Sequence, residues 1–211
     1  MNAKAEILGR IRAAIGPRHE TPLADYSAIP RRYRQATELT AEGRRDLFLS
    51  RIQHYDGGVF RCERSAIRDT IAQALSDRSR RHLVVAPGFP RDVLPDGFEF
   101  VSDDDLSYTE LDRSDGALTT CTLAIAWTGT IVLRHSPSEG RRALTLVPDY
   151  HLCIVEADHI VETVPEAIRR LRGLEPSLVT TISGPSATAD IEMTRIKGVH
   201  GPRTLDVIVV E

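Results

Sequence analysis

The sequence predicts an α/β fold: a mixed, largely parallel sheet flanked by helices, with an N-terminal helical arm. Three observations lead there. Gly58–Cys62, a helical stretch from Ser65 to Leu75, and the run HLVVA at His82–Ala86 follow one another as strand, helix and continuously apolar strand. That is the order of a βαβ unit with parallel strands. In the last run, Leu205, Val207 and Val209 lie on one face and Ile208 and Val210 on the other, as in a strand inside a sheet. Finally, 211 residues with 41% hydrophobic composition suffice for one large domain with a proper core.

Taken in order, Lys4–Ile15 places Ile7, Leu8, Ile11 and Ile15 at helical spacing, and Gly16-Pro17 stops that helix. It docks either on its own domain or on another subunit. Gly16–Leu39 reads as an extended arm with three prolines and a basic cluster, Arg31, Arg32 and Arg34. The expected division is a helix and arm over residues 1–40 and an α/β domain over 41–211. Thr40 is placed to cap a helix from Ala41 to about Tyr55. Ser65 is expected to cap the next, with Ile67, Ile71 and Leu75 on its apolar stripe. Asp92–Asp115 is acidic and turn-rich, and Asp103, Asp104 and Asp105 read as a solvated loop or helix start rather than converging metal ligands. Leu123–Trp127 and Thr130–Leu133 are strands separated by Thr128-Gly129, a tight reversal or a kink. Ala143–Val147 and His151–Val155 are read as strands, Pro165–Leu171 as a helix with Ile168 and Leu171 inward, and Leu178–Ile182 as a buried strand.

Composition excludes several function classes. A net charge of −3 argues against a nucleic-acid surface, which needs a concentrated basic patch. Cys62, Cys121 and Cys153 are scattered, too few and too far apart for a zinc ribbon or a cysteine-ligated iron–sulfur cluster, so no metal and no cofactor of its own are expected. Scattered thiols, no apolar leader and no stretch long enough to span a membrane predict a cytoplasmic protein. Serine-hydrolase, P-loop, zinc-protease and dinucleotide motifs are all absent.

The chemistry concentrates in Thr180–Arg203, TTISGPSATADIEMTRIKGVHGPR. A sharp turn at Gly184-Pro185 is surrounded by Ser183, Ser186, Thr188, Asp190 and Glu192, and a second turn carries Gly198, His200 and Gly201. In an open α/β sheet a ligand sits beyond the carboxyl ends of the strands, where this turn is expected. Gly184 would let backbone approach a ligand. A helix beginning near Thr188 or Ala189 would offer free N–H groups to a small anion, with Ser186 and Thr188 adding hydroxyls. The local alternative is that Thr188 caps that helix and Asp190 and Glu192 favour its positive end. His200 is an acid–base group or, more commonly for a loop histidine, a turn stabiliser. The loop Arg134–Arg142, RHSPSEGRR, has the serines and arginines of an anion site but also the make-up of an exposed hairpin.

The run ISGPSATADIEMTRIKGVHGPRTLDVIVV resembles the C-terminus of the lactate-utilisation protein C family, the LUD-domain proteins. The resemblance extends to Thr128–Leu133 (TGTIVL), to Val147-Pro148 and His151 on the next apolar strand, and to the opening helix. It implies a fold of the NagB/RpiA/CoA-transferase-like type. It also implies a part in oxidising L-lactate to pyruvate beside iron–sulfur partner proteins that carry the redox centres. The matching positions are Thr128, Gly129, Thr130, Ser183, Gly184, Ser186, Thr188, Asp190, His200 and Gly201. One departure stands out: Trp127 occupies a position where many relatives carry an acidic residue. The competing expectation is an enzyme acting on a phosphorylated or CoA-like substrate, for which Glu139 and Glu192 are the nearest nucleophile candidates.

Overall fold

The structure, a computed structural model, describes residues 3–16, 28–35, 37–175, 178–188, 196–198 and 200–211. Helix α1 (Ala3–Ile15) belongs to a first unit, Met1–Tyr33, and the remainder of the chain, Arg34–Glu211, is a second compact unit. None of the residues of α1 is buried, so its stripe of Ile7, Leu8, Ile11 and Ile15 is exposed. Gly16 ends the helix with a positive φ of 74° and donates its N–H to Arg12 O.

In the second unit helix α2 (Ala41–His54) opens on Thr40, whose hydroxyl accepts the Gly43 N–H at 3.1 Å. Strand β1 (Gly58–Cys62) leads to helix α3 (Ile67–Asp77). Ser65 does not cap α3; it lies in a 3-10 turn, Arg64–Ala66, that runs directly into the helix. Then come β2 (His82–Val85), β3 (Glu99–Ser102) and α4 (Tyr108–Arg113). Helix α4 starts with a reciprocal capping box between Ser107 and Glu110. Next are β4 (Gly116–Thr119), β5 (Leu123–Ile125), β6 (Thr130–Leu133), β7 (Tyr150–Glu156), β8 (Ile160–Val161) and α5 (Val164–Arg172). The chain closes with β9 (Thr180–Ile182), β10 (Ala187–Thr188), β11 (Ile196–Lys197) and β12 (Thr204–Val210).

The expected mixture of parallel and antiparallel pairing is divided between two layers. A six-stranded sheet, β1-β12-β7-β4-β2-β3, is parallel throughout. A smaller sheet, β8-β5-β6-β9, pairs β5 with β6 and β6 with β9 antiparallel. One face of the large sheet packs on α3 and α4 through Tyr150, Leu152, Ile154, Ile208 and Val210. The other packs on α2 and the small sheet through Cys153, Val155, Leu205, Val207 and Val209. Helix α5 covers the far side of the small sheet with Ala167.

Several expectations are corrected here. Ala143–Val147 is not a strand: Arg142–Thr145 is a 3-10 turn that buries Leu144 and Thr145. A short apolar run carries no period of its own, so packing decides its form. Leu178–Ile182 is not buried: β9 is an edge strand, and Leu178 and Val179 before it are exposed. On α5 the buried residue is Ala167, while Ile168 faces solvent. Asp103 is not solvated either. It is buried, and Arg141 grips both its oxygens at 2.8 Å.

One ionic cluster sits inside the parallel sheet. Asp206 on β12 has no exposure. Arg78, at the end of α3, forks onto it at 2.9 and 2.7 Å, and the Tyr150 hydroxyl donates to it at 3.1 Å. Burial first, and then the Asp206 charge, push the Tyr150 hydroxyl far above its ordinary pKa, so it stays a donor. The flanking strands begin with glycine for this reason. A Cβ at Gly58 would lie 2.1 Å from Asp206 Oδ1, and one at Gly116 would lie 2.7 Å from the Tyr150 ring. Replacing Arg78 by alanine leaves a buried carboxylate with only a phenol for company. The expected cost is about 3 kcal/mol, the lower end for a broken buried pair because Arg78 is partly exposed and water can follow it. Urea unfolding of Arg78→Ala against the wild type measures it.

Candidate functional site

Pairing of β6 with β9 sets Ile131 opposite Ile182, which brings Thr130 beside Ser183. A chain of hydroxyls results: Thr128 Oγ1 to Thr130 Oγ1 at 2.6 Å, and Thr130 Oγ1 to Ser183 Oγ at 2.8 Å. After Ser183 the backbone turns through Gly184, with φ of 81°. Ser186 then ties this turn to the loop before β12. Its N–H donates to Pro202 O at 2.8 Å, its carbonyl accepts from Gly198 N at 3.0 Å, and its hydroxyl accepts from His200 N at 3.0 Å. Two segments far apart in the focal stretch thus become one wall.

That wall closes a cavity of about 240 Å³. Ser183, Gly184, Ser186, His200 and Gly201 all line it, as the sequence expectation groups them. Thr128, Gly129 and Thr130 stand outside the lining, and Thr130 supports Ser183 from behind. Two of the glycines also have packing roles. A Cβ on Gly184 would come within 2.4 Å of Tyr55 Cβ, and one on Gly129 within 2.6 Å of Arg51 Cβ. Both let α2 and its end approach the small sheet. Thr188 belongs to β10, paired antiparallel with β11, and the helix expected to begin near it falls on residues outside the described ones. Its side chain, and all of Asp190 and Glu192, lie outside the described residues.

The opposite wall comes from residues that sequence reasoning did not select. His151 and Leu205 are the second residues of β7 and β12 and are in register with each other. The cavity therefore sits against the amino-terminal ends of the central strands, between the two sheets, and not beyond their carboxyl ends. A second cleft, of about 480 Å³, lies at the carboxyl ends of β1, β7 and β12, and its charged lining is paired internally, Arg64 with Glu156 and Arg45 with Glu211.

His151 is 1% exposed. Its Nε2 is 2.9 Å from the Thr119 hydroxyl, and its Nδ1 is buried with no hydrogen-bond partner among the described residues. Burial lowers its pKa to about 4, so the ring is neutral at physiological pH. Behind it lie Cys153 and Cys121. The neighbouring Cys153 and then burial hold the Cys121 thiol well above its ordinary pKa, which makes it an inert core thiol.

At the open side, Arg142 and Thr145 come from the 3-10 turn. Arg142 is exposed, has a long contact of 3.4 Å to Thr145 Oγ1, and meets no carboxylate among the described residues. No acidic side chain lines the cavity among the described residues. Its neighbour Arg141 is spent on Asp103. In the preceding loop Glu139 is 1% exposed and accepts from Thr122 Oγ1, Arg134 N and Ser136 N at 2.7, 2.7 and 3.1 Å. It folds the loop and is not presented as a nucleophile. Trp127 is half exposed, and the Arg34 guanidinium sits 5.2 Å over its ring. Arg34 also pairs with the buried Glu162 at 2.5 Å.

Comparison with known proteins bears on the same region. The LUD domain profile matches residues 92–210, a span that contains the whole lining of the cavity. The chain belongs to the LUD-domain family. A relative of this LUD-domain chain from Deinococcus radiodurans, described as lactate utilization protein C, is 40% identical over 211 residues. That alignment covers 99% of this chain and 95% of the relative. A protein of the same description from Shouchella clausii is 36% identical over 110 residues, 50% of this chain and 48% of its own. The crystal structure of a DUF162 family protein from Deinococcus radiodurans matches this LUD-domain fold with a TM-score of 0.72 and 36% identity. It covers 82% of this chain and 100% of the solved one.

The buried imidazole couples stability to pH. In the unfolded chain His151 titrates near the ordinary 6.5, and in the fold near 4, so between these values the unfolded state binds more protons. Stability from this group is complete above about pH 6.5 and is lost as pH falls towards 4. The loss amounts to about 3 kcal/mol at most. Urea unfolding from pH 7 to pH 4 is expected to fall more steeply for the wild type than for His151→Phe, and the difference isolates this group.

Proposed function

We propose that this LUD-domain protein is a component of an L-lactate utilisation system. In that system L-lactate is oxidised to pyruvate together with iron–sulfur partner proteins that carry the redox centres. The observation that carries this reading is the near full-length relationship to a protein described by lactate utilisation. The reading places the protein in the cytoplasm, with the cavity binding a small anion and Arg142 supplying the positive charge. The wider kinship with the NagB/RpiA/CoA-transferase-like group is part of the same proposal. A phosphorylated or CoA-like substrate has less support. The cavity of about 240 Å³ falls below the ~300–1,000 Å³ typical of pockets for drug-sized ligands. Glu139, one of its two nucleophile candidates, is fully engaged by its own loop.

Deletion of the gene in its native organism, with no second copy present, is expected to abolish growth on L-lactate while leaving growth on pyruvate intact. The wild-type gene supplied in trans restores growth. Unimpaired growth of the deletion strain on L-lactate overturns the reading.

A further inference from the structure

The unsatisfied nitrogen of His151 asks for a partner. A buried polar atom without a hydrogen bond is costly, and native structures keep such atoms rare. His151 lines the cavity, its Nε2 is committed to Thr119, and its Nδ1 has nothing to bond among the described residues. Across the same cavity Arg142 offers a guanidinium with no carboxylate partner among the described residues. The space is therefore cationic at its exposed side and carries a neutral imidazole at its buried side.

We propose that the cavity is a site for a small 2-hydroxy or 2-oxo monocarboxylate, with Arg142 holding the carboxylate and His151 Nδ1 bonding the 2-oxygen. The choice of this acid class rests on the lactate reading above. The arrangement suits both oxidation states of the acid. A neutral imidazole carries one N–H and one lone pair. With the proton on Nδ1, the ring donates to a keto oxygen while Nε2 accepts from the Thr119 hydroxyl. With the proton on Nε2, it donates to Thr119 Oγ1 while Nδ1 accepts from a 2-hydroxyl. Thr119 can follow either state, because its hydroxyl both donates and accepts and has the Cys153 sulfur 3.9 Å away as a second, weaker acceptor. An imidazolium could not accept from the hydroxy acid, and burial keeps the ring neutral. His151 is thus a specificity-determining contact, and the step is recognition only.

Calorimetric titration of the full chain at pH 7 with L-lactate, pyruvate and propionate tests this, because propionate has the carboxylate and lacks the 2-oxygen. Wild type is expected to bind L-lactate and pyruvate about tenfold more tightly than propionate, the worth of one buried hydrogen bond. His151→Phe is expected to bring both down to the propionate level and leave propionate unchanged. As a readout independent of any variant, the ring nitrogen resonances of His151 in ¹⁵N-histidine-labelled wild type should shift with L-lactate and pyruvate but not with propionate. Equal affinity for the three acids, equal losses in His151→Phe, unmoved ring resonances, or no binding of any acid each overturns the assignment. The growth phenotype is read separately: these outcomes leave it intact, and a deletion strain that grows on L-lactate removes the pathway reading without touching a measured site.

Discussion

The buried carboxylate of Asp206 constrains everything around it. It sits on a strand whose two faces are both covered, so Arg78 and Tyr150 must neutralise and satisfy it on the helical side of the sheet. Strand side chains alternate. Once Tyr150 and Asp206 are held on one face, His151 and Leu205 are committed to the other, where they line the cavity. A slip of one residue in β7 or β12 would put the tyrosine among the small-sheet contacts and the imidazole among the helices. The glycines at Gly58 and Gly116 belong to the same constraint, since a side chain at either would displace the cluster.

The second layer completes what the first begins. The small sheet does not extend the parallel one; it lies over it, and its edge strand β9 delivers Ser183 to the cavity. Its position depends on close approach of α2, made possible by Gly129 and Gly184. Ser186 then joins the turn after β9 to the loop before β12, so this wall of the cavity is anchored in both sheets. Ser183, backed by the hydroxyls of Thr130 and Thr128, and His151, whose Nδ1 has no partner among the described residues, line this space from different layers.

Much of this was legible in the residues. The apolar runs at His82–Val85 and Thr204–Val210 announce parallel strands, Thr40 marks the start of α2, and the polar turns at Ser183–Ser186 and His200–Gly201 point to the cavity. What was not legible depends on partners distant in sequence. His151 reads as one polar residue at the head of an apolar strand, and its meaning comes from Thr119 on β4. Asp206 is a charge inside a run otherwise buried on both faces, a signal that a paired cation must exist but not which one. Arg142 and Arg141 are adjacent, yet Asp103 takes one and leaves the other at the cavity. Arg142–Thr145 shows the limit of pattern reading, because four residues satisfy a strand and a 3-10 turn equally until Leu144 is packed.

The proposed site lies between the two sheets, with His151 at its buried end and Arg142 at its open end. A crystal structure of the chain grown with pyruvate tests it most directly. The acid is expected inside the cavity, with its 2-oxygen within about 3 Å of His151 Nδ1 and its carboxylate against Arg142. Pyruvate bound elsewhere, or bound in the cavity with its methyl group towards His151, would contradict it.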